Sequence, residues 1–136
     1  MTDIVVLGST NMDLVAYVEK PPQRGETVTG REFRTVPGGK GANQAIAAAH
    51  AGADVSMIGA VGNDAFGTRL RSTLEHSGVG TDHLRTVEGP SGTAHIVVDD
   101  EGGNAIVVVP GANGTVDHLA PGDEALIAAA DALLLQ

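Results

Sequence analysis

Pro37-Gly38-Gly39-Lys40-Gly41-Ala42-Asn43-Gln44 opens the longest alanine-rich stretch of the chain, which runs through Ala51 to Gly52. The small side chains from Gly41 to Ala51 predict a helix that can lie close against a sheet, with Gly52 as its C-cap. Where a glycine loop turns into a helix, the first backbone N–H groups have no partner within the helix. Lys40 and Asn43 aim a cation and an amide at the same small volume. That combination suits a small polar ligand.

Working outward, the runs Ile4 to Gly8 and Val55 to Val61 are short, apolar and followed or closed by glycine, which reads as strands buried on both faces. Ala132 to Leu135 begins a third such strand. Besides the helix from Gly41, a second is expected from about Ala65 to Ser77. Asn63-Asp64 can cap it, Leu70 and Leu74 stand at i, i+4 spacing, and Gly78 stops it. A third is expected over Pro121 to Ala130, with Pro121 near its first turn. Buried strands alternating with helices are the pattern of a right-handed βαβ sheet. Strands of a more polar sort are expected near 14–18, 31–36, 93–98 and 105–109. The last two flank Asp99-Asp100-Glu101-Gly102-Gly103-Asn104, a hairpin loop. These four predict a small β flap on one edge of an α/β body.

A chain of 136 residues with 42% apolar content can bury a real core. A net charge of -9 from only eight Lys+Arg argues against a nucleic-acid partner. The absence of cysteine excludes disulfides and thiolate zinc sites and suits a reducing compartment. No basic leader and no apolar run of membrane-spanning length are present, so a cytoplasmic location without membrane contact is expected.

Asn11 and Asp13 follow the first strand, at the sheet edge where open α/β folds bind ligands. A carboxylate can accept from two neighbouring hydroxyls, and an amide both donates and accepts, so the pair suits a polyol better than a phosphate. A turn or capping role is the alternative for such residues. The glycine loop fails the P-loop spacing, because Arg34 stands where its first glycine belongs and Lys40 precedes Gly41. It fails the dinucleotide pattern as well. Gly62 to Gly67 supplies one carboxylate and reads as a helix cap, and Asp99 to Glu101 reads as a solvated hairpin tip. The five histidines show no paired spacing, so no metal site is expected.

Taken together, Gly8 to Asp13, Gly25-Glu26-Thr27-Val28, Pro37 to Ala45, Gly52, Gly62 to Gly67 and Pro110-Gly111-Ala112-Asn113 resemble the ribokinase-like (phosphofructokinase-B-type) family of sugar and nucleoside kinases. Gly-Lys-Gly-Ala-Asn-Gln favours its ribose-phosphorylating members. The resemblance implies a Rossmann-like three-layer α/β/α body carrying a small β-sheet lid, with residues 1–136 forming the N-terminal part of one domain. It implies that Asn11, Asp13, Gly38, Gly39, Lys40 and Asn43 bind the sugar, Lys40 as a hydroxyl donor, and that Ala94, Ile96 and Ile106 line the apolar lid side. It also implies ATP and Mg²⁺ as cofactors, a monovalent cation, K⁺ by preference, and a homodimer through the lid. No catalytic residue is expected in this chain: a Gly-Ala-Gly-Asp segment and the nucleotide and ion sites belong to a half that the resemblance places beyond Gln136. The chain alone is therefore expected to be inactive. A kinase of fructose, a nucleoside or another furanose remains an alternative, as does a truncated, non-catalytic sugar-binding remnant.

Overall fold

The computed structural model describes residues 2–136. A parallel sheet forms the body: β1 (Asp3–Leu7) pairs on one side with β4 (Asp54–Gly62) and on the other with β9 (Ala132–Leu135). β4 also pairs in parallel with β5 (Val79–Gly80) and β6 (Leu84–Val87). Alternation along the strands separates two faces. Val6, Val55, Met57 and Val61 pack against Ala42 and Ala45 of α1 (Lys40–His50) and Leu70 and Leu74 of α2 (Ala65–His76). On the other face, Val5 is buried beside α3 (Asp123–Ala129), and Ile58 and Ala60 are fully buried. That makes the body three layers deep.

The second sheet has the order β3-β2-β7-β8, with β2 (Asn11–Tyr17), β3 (Glu32–Gly38), β7 (Thr93–Val98) and β8 (Asn104–Val109). β2 pairs antiparallel with β3 and parallel with β7, and β7 and β8 form the expected hairpin. At its tip Asp99 Oδ1 accepts the N–H groups of Glu101 and Gly103, both at 2.9 Å. The local acid is satisfied by its own turn.

Two expectations are corrected. The strand expected at 14–18 begins at Asn11, so Asn11 and Asp13 stand in β2 and not in a turn. β9 forms the expected strand beside β1 and lies at the edge of the sheet, with Leu133 38% and Leu135 62% accessible. Pro121 lies ahead of α3. A tight turn around Pro121-Gly122, closed by Asp123 N–H to Ala120 O, delays the helix to Asp123. β5 and β6 went unforeseen, since two and four residues carry no readable period.

One buried and one partly buried carboxylate tie the layers together. Asp123 is 1% exposed, accepts from Ala120 N–H at 2.7 Å, and pairs with His83 on the segment before β6 and Arg85 within it. Burial raises its pKa, but these partners outweigh that and hold it below the usual carboxylate range. Asp64 caps α2 through Gly67 N–H at 2.8 Å and also accepts Ser91 Oγ at 2.6 Å and Ser91 N–H at 3.0 Å. Burial pushes the Asp64 pKa up, and the Ser91 and Gly67 bonds more than reverse it. A β-carbon on Gly67 would collide with the Gly62 carbonyl, so the glycine spacing here serves close packing.

Asp64→Ala should cost about 2 kcal/mol or more, the sum of a lost cap and lost charge-assisted bonds, read as a lower urea midpoint. Because the folded carboxyl is depressed, its contribution is full above the unfolded value near pH 4 and fades as pH falls through the folded one. The gap between wild type and variant should therefore narrow in acid.

Candidate functional site

The first turn of α1 is pressed onto the segment that joins β1 to β2. Ala42 N–H donates to Ser9 O at 3.0 Å, and Asn43 N–H donates to Gly39 O at 2.9 Å. Gly39 has φ +99°, and a β-carbon there would lie 2.8 Å from both Ser9 O and Thr10 Cα. One on Gly41 would lie 2.7 Å from Ser9 N. The glycines therefore allow backbone to approach backbone as well as supplying N–H groups at the helix start. Two of the first-turn N–H groups are already used. Lys40 and Asn43 remain exposed at i, i+3 spacing on the same side of the helix.

Asn11 and Asp13 share one face of β2. Register places Asp13 between Val36 of β3 and Ala94 of β7, and places Asn11 opposite Gly38. Ala94 is buried, Ile96 partly so, and Ile106 stands opposite Ile96 on β8 with 52% exposure. One lid face thus carries Asn11, Asp13, Gly38, Ala94, Ile96 and Ile106, with Lys40 and Asn43 on the adjoining helix. A β-carbon on Gly38 would lie 2.6 Å from Asp13 Oδ2, so only glycine leaves the carboxylate its space. Burial raises the Asp13 pKa, and no hydrogen bond offsets it among the described residues. Asp13 is a partly desolvated acceptor without a donor.

Asn113 escaped the sequence reading of the site. It stands on the 3-10 turn Gly111–Thr115 after β8, in a segment that carries the family resemblance but no expected site role. Its side chain bonds the backbone of Thr10 and the amide of Asn11. No local pattern pairs residues about a hundred positions apart. A cavity of about 510 Å³ opens beyond Asn113 at the carboxyl ends of β1 and β9, lined by Ser9, Asn113, His118 and Gln136 among others. It adjoins the Asp13 face without including it.

The chain is thus a parallel α/β body whose first strand runs into a β lid, with an unpaired carboxylate and an amide at the junction among the described residues. The chain belongs to the pfkB family of carbohydrate kinases, whose family model matches residues 1–136. The ribokinase of Bacillus subtilis (strain 168) is 56% identical over 114 residues, covering 83% of this chain and 39% of its own length. That of Lactococcus lactis is 46% identical over 117 residues, covering 85% and 39%. Among solved structures, Arabidopsis thaliana ribokinase complexed with ribose and ATP superposes with a TM-score of 0.89 at 34% identity, covering 100% of this chain and 46% of its own. The chain thus spans less than half the length of these relatives, and its fold is theirs.

Asp13→Asn should leave the ligand-free fold as stable as wild type at neutral pH, or raise its melting temperature. A carboxyl with a raised folded pKa weighs against the fold when charged, and the neutral amide removes that charge. A clear fall in melting temperature would show that Asp13 has a structural partner.

Proposed function

We propose that this chain holds the sugar in an ATP-dependent ribokinase, which moves the γ-phosphoryl of ATP to the 5-hydroxyl of D-ribose. The carrying observation is Asp13: a partly buried carboxylate with no partner, flanked by Val36 and Ala94, on one face with Asn11. A desolvated acceptor of this kind is stabilised by hydroxyl donors, and two adjacent ribose hydroxyls supply them. Asn11, Lys40 and Asn43 hold further hydroxyls, Gly38 and Gly39 let the sugar approach the backbone, and Ala94, Ile96 and Ile106 cover its apolar side. The ribokinase relatives and the neighbour described with ribose and ATP support this assignment.

Residues 1–136 are, in this proposal, the N-terminal part of one ribokinase-like domain, with β2, β3, β7 and β8 as its lid. Phosphoryl transfer needs a base for the attacking hydroxyl and donors for the developing charge. We assign neither to these residues. Mg²⁺ would supply charge neutralisation to the nucleotide, and a monovalent cation, K⁺ by preference, is proposed for the full-length enzyme. No group of three or more His, Asp or Glu fit to hold a metal ion occurs among the described residues, so neither ion is given a site here. Among the described residues no helix is long and apolar enough to cross a membrane. ATP as phosphoryl donor accords with a cytoplasmic place of work.

An enzyme of the relatives' full length that begins with these 136 residues should phosphorylate ribose in preference to fructose and nucleosides in a coupled ADP-release assay. Preference for another furanose would overturn the substrate assignment. Asp13→Asn should weaken ribose binding about tenfold to a hundredfold by calorimetry, the worth of a charge-assisted hydrogen bond. Affinity in the wild type should fall with pH through the raised Asp13 pKa, above the ordinary range for aspartate, because only the carboxylate accepts both hydroxyl protons.

The same enzyme is proposed to form a homodimer through the lid, where Phe33 and Val107 are each 64% exposed and Val108 57%. Sedimentation velocity should return a dimer that Val107→Asp dissociates. A wild-type monomer at micromolar concentration would refute it.

A further inference from the structure

The Asn113 amide meets three parts of the lid's base. Its Oδ1 accepts the Thr10 N–H at 3.2 Å, and its Nδ2 donates to the Thr10 carbonyl at 3.1 Å. Nδ2 also donates to Oδ1 of Asn11 at 2.7 Å. An amide nitrogen has two protons and no lone pair to offer, and its oxygen has only lone pairs. Both protons are therefore spent, and both backbone groups of Thr10 are read at once. Turned over, Asn113 would set oxygen against the Thr10 carbonyl and the Asn11 oxygen, and nitrogen against the Thr10 N–H. One orientation survives.

That orientation dictates the next. Asn11 must keep Oδ1 towards Asn113, which leaves its Nδ2 as the free end, without a hydrogen-bond partner among the described residues. Gly92 makes room for the contact: a β-carbon there would collide with Asn113 Nδ2 and lie 2.7 Å from Asn11 Oδ1. Gly92 also holds β2 through its carbonyl, which accepts Met12 N–H at 3.0 Å. The chain runs into the lid at Thr10-Asn11 and again at Gly92, and leaves it towards Asn113. These three crossings meet at one amide.

We propose that Asn113 is a positioning residue for sugar binding. It locks the Asn11 amide so that Asn11 offers the sugar only its NH₂ donor, beside the pure acceptor Asp13. This rests on the sugar-site assignment above. With a fixed donor next to a fixed acceptor, a hydroxyl bridging them must accept from Asn11 and donate to Asp13. The site therefore favours a hydroxyl over a group that can only donate or only accept.

Asn113→Asp keeps the shape and replaces the donor by an oxygen facing Asn11. Asn11 then turns over, gives its NH₂ to the new carboxylate and shows its carbonyl to the sugar. In the full-length enzyme described above, ribose KM should rise about tenfold or more, the worth of an inverted hydrogen bond, while kcat changes far less. Asn113→Ala removes all three bonds but leaves Asn11 free to choose its orientation, so its KM should rise less than that of Asn113→Asp. Because the new carboxylate also faces the Thr10 carbonyl, melting temperature separates the two roles: a purely structural role makes the KM of each variant follow its loss of melting temperature, with kcat falling alongside, and that result, or a KM for Asn113→Ala equal to or above that of Asn113→Asp, would overturn the inference. Should either variant fold poorly, the wild-type 136-residue chain decides. NMR should detect the hydrogen-bond coupling from Asn113 Nδ2 to the Asn11 side-chain carbonyl, and its absence would refute the lock. Wild-type enzyme that does not bind ribose overturns the sugar site itself, whereas ribose binding unaffected by Asn113→Asp overturns only the lock.

Discussion

The rest of the site depends on one backbone-to-backbone contact, where the first turn of α1 rests on Ser9 and Thr10. The Ala42 N–H to Ser9 O bond holds it, and Gly39 and Gly41 permit it by having no β-carbon. An alanine at either position would force overpacking against main chain, which cannot rotate aside as a side chain can. The contact does two things at once. It seals the Ala-rich helix against β1 and β4, and it brings Lys40 and Asn43 beside the strand that carries Asn11 and Asp13.

The lid is fastened to the body by Met12 of β2, which is fully buried in the core, and by polar groups at its base. Val107, Val108 and Val109 on β8 are all well exposed, so apolar burial cannot seat that edge. Asp64 reaches Ser91 just ahead of β7, and Asn113 reaches Thr10 and Asn11 just ahead of β2 and within it. Each is a buried or partly buried polar group with its partners satisfied, which makes it directional where hydrophobic packing is not. Directionality is what a lid hinge needs. It restrains the angle of the sheet and leaves its outer face available.

Asp13 stands apart from this pattern. Asp64 and Asp123 have donors enough to hold their pKa values low despite burial, whereas Asp13 has none and is pushed up by burial alone. A protein with so many satisfied carboxylates that leaves one partly buried without a donor is storing unfavourable desolvation at one place. Sites that bind polar ligands are built in that way, since the ligand completes the hydrogen bonding on arrival.

Much of this was legible in the chain. The apolar runs at β1 and β4, the Asp64 cap, the glycine stops at Gly52 and Gly78 and the β7–β8 hairpin follow from local propensity and period, which act within a few residues. Asn11 and Asp13 were legible by residue type and position as an amide and an acceptor at the carboxyl edge of the sheet. The tertiary structure decided what needs distant residues to meet. It put Asp13 between Val36 and Ala94, drew Asn113 onto Asn11, and set Gly39 and Gly41 against Ser9 and Thr10. Those outcomes depend on which strands pair and how closely backbones approach, and no window of sequence contains both partners.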